Sequence, residues 1–449
     1  MAITLITSNP KTREVIDGEK ATALVASWKE QLQIEVASGN AVLCDKIILE
    51  GKSYTPDAAT IIAGFLTSTD DFQPSIASGI KIAIIADIIA SQMEAPALEV
   101  LKTISDAFAE SRLEEVDLSD NAMGTKGVVA CKTVLSGASV CDTLQRLKLC
   151  NNGLSKYTMD EVAVLLTEGE DSCIAKNLTQ IHFFNNMSDD AGCESFKNII
   201  AKSEHLQDIR FSGTRAKAKG SVFITSGLKD LAESGKLGTV TRLDLADNSF
   251  GDCYEDLAEA LKMCLQLEYL DLHDCCLGDD GITAVCDVLL EAKPPLSFLS
   301  ISGNDIGEDN NYDGAKSVAK LIASINGSIV SFNASENEMR SPGIRSVARA
   351  FKSSTVKEIY LNQNEVGTVG ANALIKMSSQ VPNLEKIQLD YNGFTDEVVE
   401  QLQDTFGEKL TEFEDNIEDD YDEEIENPED LEDDDVDALA DALSQVNVA

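Results

Sequence analysis

Aromatic residues are scarce in this 449-residue chain, at 5% of the total, and tryptophan occurs once, at Trp28. A core of ordinary size must therefore be aliphatic, and the 43% hydrophobic content is ample for one packed by leucine and isoleucine. Histidine is rarer still, with His182, His205 and His273 far apart in sequence. The eleven cysteines include no Cys-x-x-Cys pair, only the adjacent Cys275 and Cys276. Neither a disulfide framework nor a zinc site fits that spacing, so a reduced compartment is expected. Long apolar runs are missing too: the greasiest stretch, "GIKIAIIADIIAS" at 79–91, is broken by Lys81 and Asp87. The opening "MAITLITSNP" has neither a basic segment nor an apolar one of signal length, so neither export nor a membrane span is expected.

Positive charge is the remaining shortage. Lysine and arginine number 36 against 78 acidic residues, a formal charge of -42. Seventeen of the acids crowd into residues 411–437, which hold no lysine or arginine. Such a surface repels phosphate backbones and anionic lipid, so nucleic acid and membrane are not expected partners, whereas a basic protein would be drawn to it.

What is present is repetition. "VDLSDNAMG" (116–124), "LKLCNNGL" (147–154), "LDLADNSFG" (243–251) and "IYLNQNEVG" (359–367) share one cadence. Aligned on L-x-x-L-x-L-x-x-N-x-L, one slot is filled by Asn121, Asn152, Asn186, Thr214, Asn248, Cys275, Asn304, Asn337, Asn364 and Asn392, at intervals of 27 to 34 residues. Two blurred units precede them, around 47–54 and 82–89, giving about twelve leucine-rich repeats. Between the slots, stretches such as "GVVACKTVLSGA" (127–138) have apolar residues at helical spacing. Each unit is thus a strand, a turn and a helix. Parallel strands stack about 4.8 Å apart while helices need about 10 Å, so the expected fold is an α/β horseshoe with parallel strands inside and helices outside.

The slot asparagine has a structural purpose, because its amide can satisfy backbone groups where the chain leaves the strand. Asn121, Asn152, Asn186, Asn248, Asn304, Asn337, Asn364 and Asn392 are assigned that task. "CNNG" then carries one polar residue too many. Strand alternation points Leu147 and Leu149 into the core and Arg146, Lys148 and Cys150 to the concave side, which leaves Asn151 on the exposed rim. Asparagine suits turns, so a purely conformational role is available to Asn151 and to its counterpart Asn185. Loop positions on a rigid support also carry function, and spacing does not separate the two.

Several motifs fail on inspection. "DNNYDG" (309–314) opens like a calcium loop, yet its twelfth position is Lys320, a cation where a bidentate glutamate belongs. "GKS" (51–53) lacks the upstream glycine of a phosphate-binding loop. The histidines have no nucleophile or carboxylate spaced to form a triad or metal site. The chain therefore divides into an N-terminal cap or extension (1–40), the repeats (41–407), an acidic segment (408–437) expected to be disordered, and a short amphipathic segment (438–449). The acidic segment serves either solubility or electrostatic contact with a basic partner.

These residues resemble the Ran GTPase-activating proteins over 45–437. "LSDNAMGTKGV" (118–128) looks like that family's L-S-D-N-A-x-G segment, and "LKLCNNGLS" (147–155) like the repeat that follows it. "IHFFNNMSDDAG" (181–192) and Ser212-Gly213-Thr214-Arg215 are similar to the plant-type branch, and an acidic tail is a family trait. The resemblance implies a ribonuclease-inhibitor-like crescent that binds a GTP-loaded Ran-like GTPase and accelerates hydrolysis without an arginine finger, in nucleocytoplasmic transport. It implies that Asn151 holds the partner's own catalytic glutamine, and that GTP and magnesium belong to that partner, the chain having no cofactor of its own.

Partner contacts are expected at Gln92, Asp120, Arg146, Lys148, Asn185 and Arg215, and a Ran-binding protein is a further expected partner. Gln92 stands where the family has arginine; it can hydrogen-bond but cannot make a bidentate ion pair. Trp28 is followed by Lys29-Glu30, so the plant Trp-Pro-Pro targeting sequence is not matched. A cytoplasmic location is expected, up to the cytoplasmic face of the nuclear envelope. The rival expectation is a non-catalytic leucine-rich-repeat scaffold that grips a protein through its concave face.

Overall fold

The computed structural model describes residues 4–7, 12–37, 44–168, 173–411, 413–416 and 422. Two compact units divide the chain, Met1–Arg215 and Ala216–Ala449. Most of the acidic segment and all of 438–449 lie outside the described residues.

In the first unit the strands Thr4–Ile6, Lys46–Ile48, Ile82–Ile84, Glu115–Asp117, Arg146–Lys148, Gln180–His182 and Asp208–Arg210 pair side by side, all parallel and in register. In the second, Arg242–Asp244, Tyr269–Asp271, Phe298–Ser300, Ser331–Asn333, Glu358–Tyr360 and Lys386–Gln388 do the same. Each strand is three residues long, because the repeat returns the chain to a helix as soon as one core residue has been placed. That residue is fully buried in strand after strand: Ile47, Ala83, Val116, Leu147, Ile181 and Ile209 in the first unit. The connecting helices bury their own apolar stripe against the same core, as Val162 and Leu166 do in Lys156–Thr167. Each unit is a leucine-rich-repeat solenoid.

The segment before residue 41 adds a strand, Thr4–Ile6, and a helix, Gly18–Ala37. Trp28, on that helix, is buried; its Nε1 donates to the Ile6 carbonyl at 3.1 Å and its ring lies 5.9 Å from Phe65. A second, two-stranded parallel sheet joins Val15–Ile16 to Ser53–Tyr54. Among the described residues no helix is long and apolar enough to cross a membrane.

The slot asparagines are buried and stitch one repeat to the next. Asn152 Oδ1 accepts the backbone N–H of Asn121 at 2.9 Å, and its Nδ2 donates to the Leu118 carbonyl at 3.0 Å. Asn186 does the same one repeat on, accepting from Asn152 and Leu154 and donating to Leu149. Asn304, Asn337 and Asn392 repeat the pattern in the second unit. Where the slot holds cysteine, the Cys275 thiol donates to the Leu245 carbonyl at 3.5 Å in place of the amide.

Candidate functional site

The residue before each slot has a left-handed backbone. Its φ is +51° at Asp87, +62° at Asp120, +49° at Asn151, +53° at Asn185 and +61° at Gly213 in the first unit. The backbone N–H groups of Asp87, Asp120, Asn151 and Asn185 donate to the next repeat, Asn151 to Phe184 at 2.7 Å and Asp120 to Cys150 at 2.9 Å. Glycine, asparagine and aspartate tolerate this conformation best, which accounts for a small polar residue at position 151. It does not demand asparagine: the same place in the second unit holds Asp247, Glu336, Gln363 and Tyr391. The conformational reading explains the class of residue and leaves its identity open.

Parallel register brings the rim side chains of adjacent repeats within reach of one another. Asn185 Nδ2 donates to Asn151 Oδ1 at 3.1 Å, and Asn151 Nδ2 donates to Asp120 Oδ1 at 2.7 Å. All three are exposed. Because an ionised carboxylate only accepts, Asp120 forces the Asn151 nitrogen toward itself, and the oxygen then meets Asn185. The Asn151 amide is therefore fixed in orientation and keeps one N–H and one lone pair for an outside group. An amide held this way offers a donor and an acceptor together, as another amide requires.

The concave residues beside it are paired among themselves. Arg146 Nε lies 2.8 Å from Glu115, and Lys148 Nζ lies 3.8 Å from Glu115 and 3.7 Å from Asp117. Both cations are about a third exposed, at 33% and 30%, so each presents part of its surface outward. Further along, His182 Nε2 meets Asp208 at 2.8 Å and the Arg210 guanidinium sits 3.8 Å over the Phe184 ring. Glu50 is exposed at its surface, yet partial desolvation raises its carboxyl above the ordinary range, helped by the nearby charges of Asp117 and Asp120. Glu50, Asp87, Asp117 and Asp120 thus gather in the repeats before Asn151, with Lys148 beside them.

Gln92 is turned inward. Its Nε2 donates to the Tyr54 carbonyl at 2.5 Å and to Ser53 Oγ at 3.3 Å, tying the turn after Ile82–Ile84 to the repeat before it. It still lines one shallow cavity with Ser91, Asp120, Thr125 and Lys126. Arg215 is exposed with φ +61°, just past the slot residue Thr214. Of the residues expected from sequence, the fold thus brings Asp120, Asn151 and Asn185 into one hydrogen-bonded chain. Arg146 and Lys148 lie on the strand leading to Asn151, whereas Gln92, which shares a cavity with Asp120, and Arg215 are not members of that hydrogen-bonded chain. Among the described residues no group of three or more His, Cys, Asp or Glu is arranged to hold a metal ion.

Sequence reasoning missed Asp87 and Arg13. Asp87 occupies the left-handed rim position of the blurred second repeat, findable once that repeat is aligned. Arg13, whose Nη2 lies 2.5 Å from Asp87 Oδ2, sits outside any repeat and carries no periodic signal.

A family model described as Leucine Rich repeat matches residues 112–130 and 264–286. The chain is 33% identical over 132 residues to RAN GTPase-activating protein 2 of Arabidopsis thaliana, covering 29% of this chain and 21% of that one. RAN GTPase-activating protein 1 of the same organism is 33% identical over 91 residues, 20% of this chain and 16% of its own length. The matched stretch therefore spans about a fifth of the first of these relatives and about a sixth of the second. Ribonuclease inhibitor of Sus scrofa is 24% identical over 325 residues, covering 65% of this chain and 67% of the inhibitor. By fold the chain is a leucine-rich-repeat protein, and it resembles the Ran GTPase-activating proteins.

Proposed function

We propose that this protein activates a Ran-like small GTPase, with Asn151 holding the partner's catalytic glutamine so that it orients the attacking water. One observation carries this reading: the Asn151 amide is exposed on the rim yet fixed between Asp120 and Asn185, with a donor and an acceptor left over. The water-positioning glutamine of a small GTPase is mobile, and freezing it in place pre-organises in-line attack. A neutral amide does this by hydrogen bonding. Charge stabilisation at the phosphates falls to the partner's own groups and its magnesium, so the chemistry belongs to the GTPase and this chain acts as its regulator. The likeness to proteins named as Ran GTPase-activating supports the choice of partner, and with it a cytoplasmic role in nucleocytoplasmic transport, reaching the cytoplasmic face of the nuclear envelope and a Ran-binding protein.

Single-turnover phosphate release from GTP-loaded Ran tests the assignment. Asn151→Ala is expected to remove several kcal/mol of transition-state stabilisation, in the range of other positioning groups. Stimulation within about threefold of wild type, under ~1 kcal/mol, would end it.

The second reading is a binding scaffold without acceleration. Gln92 favours it, since its amide is occupied by Tyr54 and Ser53 within the chain. Tight binding of GTP-loaded Ran with unchanged phosphate release would select the scaffold.

A further inference from the structure

We infer that Arg13 contacts an anionic group of the protein that docks on the Asn151 rim. The inference rests on the rim reading above and adds a residue that lies outside the repeats.

The segment carrying Arg13 is anchored independently of it. Val15–Ile16 pairs with Ser53–Tyr54, Ser53 N donates to the Glu14 carbonyl at 3.0 Å and Thr55 N to the Ile16 carbonyl at 3.0 Å. Lys52, at the slot position of its repeat and 1% exposed, sends its ammonium to the Thr12 carbonyl at 2.6 Å. These three hydrogen bonds hold the segment before Arg13 is counted. The Arg13 side chain is 61% exposed and spends Nη2 on Asp87. An ion pair so open to water adds little to stability. What it does is aim a guanidinium along the rim.

Asp87 has the same rim position as Asp120 and Asn151, two repeats before Asn151, which at parallel-strand spacing is on the order of 10 Å. Asp120, the carboxylate that orients Asn151, is close enough to add to the field that holds the Arg13 charge. Around it the edge is acidic, with Glu50, Asp87, Asp117 and Asp120. Arg146 and Lys148 on the neighbouring strand are paired with Glu115 and Asp117, so a docking protein that places a carboxylate or phosphate beside Asp87 meets Arg13 as the cation among these carboxylates. Guanidinium forks recognise just those two groups, with nitrogens to spare here after the contact to Asp87.

The test is single-turnover phosphate release from GTP-loaded Ran, titrated with wild type, Asn151→Ala, Arg13→Ala, Arg13→Lys and Asp87→Asn. Loss of one charge-assisted contact predicts that Arg13→Ala raises the half-saturating concentration about tenfold or lowers the saturated rate by as much. A shift confined to the half-saturating concentration assigns the anion to a carboxylate on the partner's surface; a lower saturated rate assigns it to the nucleotide phosphates and overturns the assignment of charge stabilisation there to the partner alone. Arg13→Lys should recover part of the loss, and Asp87→Asn, which keeps the left-handed backbone and leaves Arg13 in place, should stay within about twofold. Arg13→Ala that titrates like wild type overturns the inference. So does a matching defect in Asp87→Asn accompanied by a lower melting temperature in both, which would make the pair a structural clamp. Should wild type itself fail to accelerate hydrolysis, the activator reading falls instead, and the dissociation constant for GTP-loaded Ran replaces the half-saturating concentration as the readout for Arg13. Absence of binding as well sinks both.

Discussion

Asp120 Oδ1 accepts a hydrogen bond from Asn151 Nδ2 at 2.7 Å, joining the rim residues of two neighbouring repeats. The pairing is asymmetric in chemistry: the carboxylate has no proton to give, so the amide has only one way round. Replacing Asp120 by asparagine keeps a residue suited to φ +62° but restores both amide orientations. Stimulation of GTP hydrolysis by Asp120→Asn should fall several-fold at saturation, with the half-saturating concentration little changed, since orientation rather than docking is lost. A change in the half-saturating concentration alone would mean that Asp120 acts as a docking residue and not through Asn151.

Asn151→Asp separates shape from hydrogen-bond polarity. The side chain keeps its size and its tolerance of φ +49°, yet its donor to Asp120 becomes a second carboxylate oxygen facing the first. Like charges so close repel, and the group left for the partner is an acceptor only. We expect Asn151→Asp to lose stimulation as completely as Asn151→Ala, while thermal unfolding shifts little because the site is exposed. Retained stimulation would show that the partner needs an acceptor alone.

The neighbouring residue answers to a different physics. Asn152 is fully buried, and its amide satisfies the Asn121 N–H and the Leu118 carbonyl. Asn152→Ala strands both groups away from water, at a cost of about 2–4 kcal/mol by the penalty for unmet buried hydrogen bonds. Urea unfolding should show the loss. A change below about 0.5 kcal/mol would mean the repeats are not stitched through this amide.

The contrast between Asn151 and Asn152 shows what a sequence discloses here. A buried amide that serves its own backbone recurs at every repeat, so Asn152 was legible from periodicity. Leu147, Ile181 and Ile209 were legible for the same reason, since one aliphatic per strand fills the core. The rim position follows a conformational rule that sequence shows only as a preference for Asn, Asp and Gly, and Glu336, Gln363 and Tyr391 break that preference. The chain Asn185–Asn151–Asp120 needs three repeats in register before it exists, and no one repeat contains it. Gln92 was expected to meet the partner because it stands where the resembled family has arginine; its carbonyl partner at Tyr54 depends on how the preceding repeat stacks. Arg13 was invisible because non-repeating segments have no alignment to place them.

Glu50 predicts a pH dependence whose sign can be worked out. Partial desolvation raises its carboxyl above the ordinary range, and Asp117 and Asp120 raise it further while Lys148 opposes them. The folded state then holds the proton more firmly than the unfolded chain. Its contribution is complete below the unfolded value of about 4.3 and is lost as pH climbs through the raised folded value. Glu50→Gln fixes the neutral form. The stability of that variant relative to wild type should therefore rise between about pH 4 and pH 7, measured by urea titration at each pH. A difference that stays flat across the range would show that Glu50 ionises as it does in the open chain.

The last repeat is closed by residues that the sequence assigned to the acidic segment. Tyr391 N donates to the Asp415 carbonyl at 2.8 Å, the bond that the rim position makes to the next repeat elsewhere in the second unit. Asn416 Oδ1 accepts the Phe394 N–H at 3.0 Å and its Nδ2 donates back to the Phe394 carbonyl at 2.6 Å. Asp390 takes the N–H groups of Glu414 and Asp415, and the Phe413 ring lies 6.2 Å from Phe394. Asn416 thus offers to Phe394 what Asn392 offers to Val366 one repeat earlier. A repeat array needs its final strand's exposed backbone satisfied, and here Thr411, Asp415 and Asn416 supply partners. Two truncations follow. Ending the chain after residue 407 should lower the melting temperature by several degrees, the expected size for losing about 1–3 kcal/mol from a domain of this length. Ending it after residue 424 should leave the melting temperature near wild type, because Asp415, Asn416 and the Asp422 carboxylate that accepts from Val369 N all remain. Equal melting temperatures for the two would show that the last repeat stands without this closure.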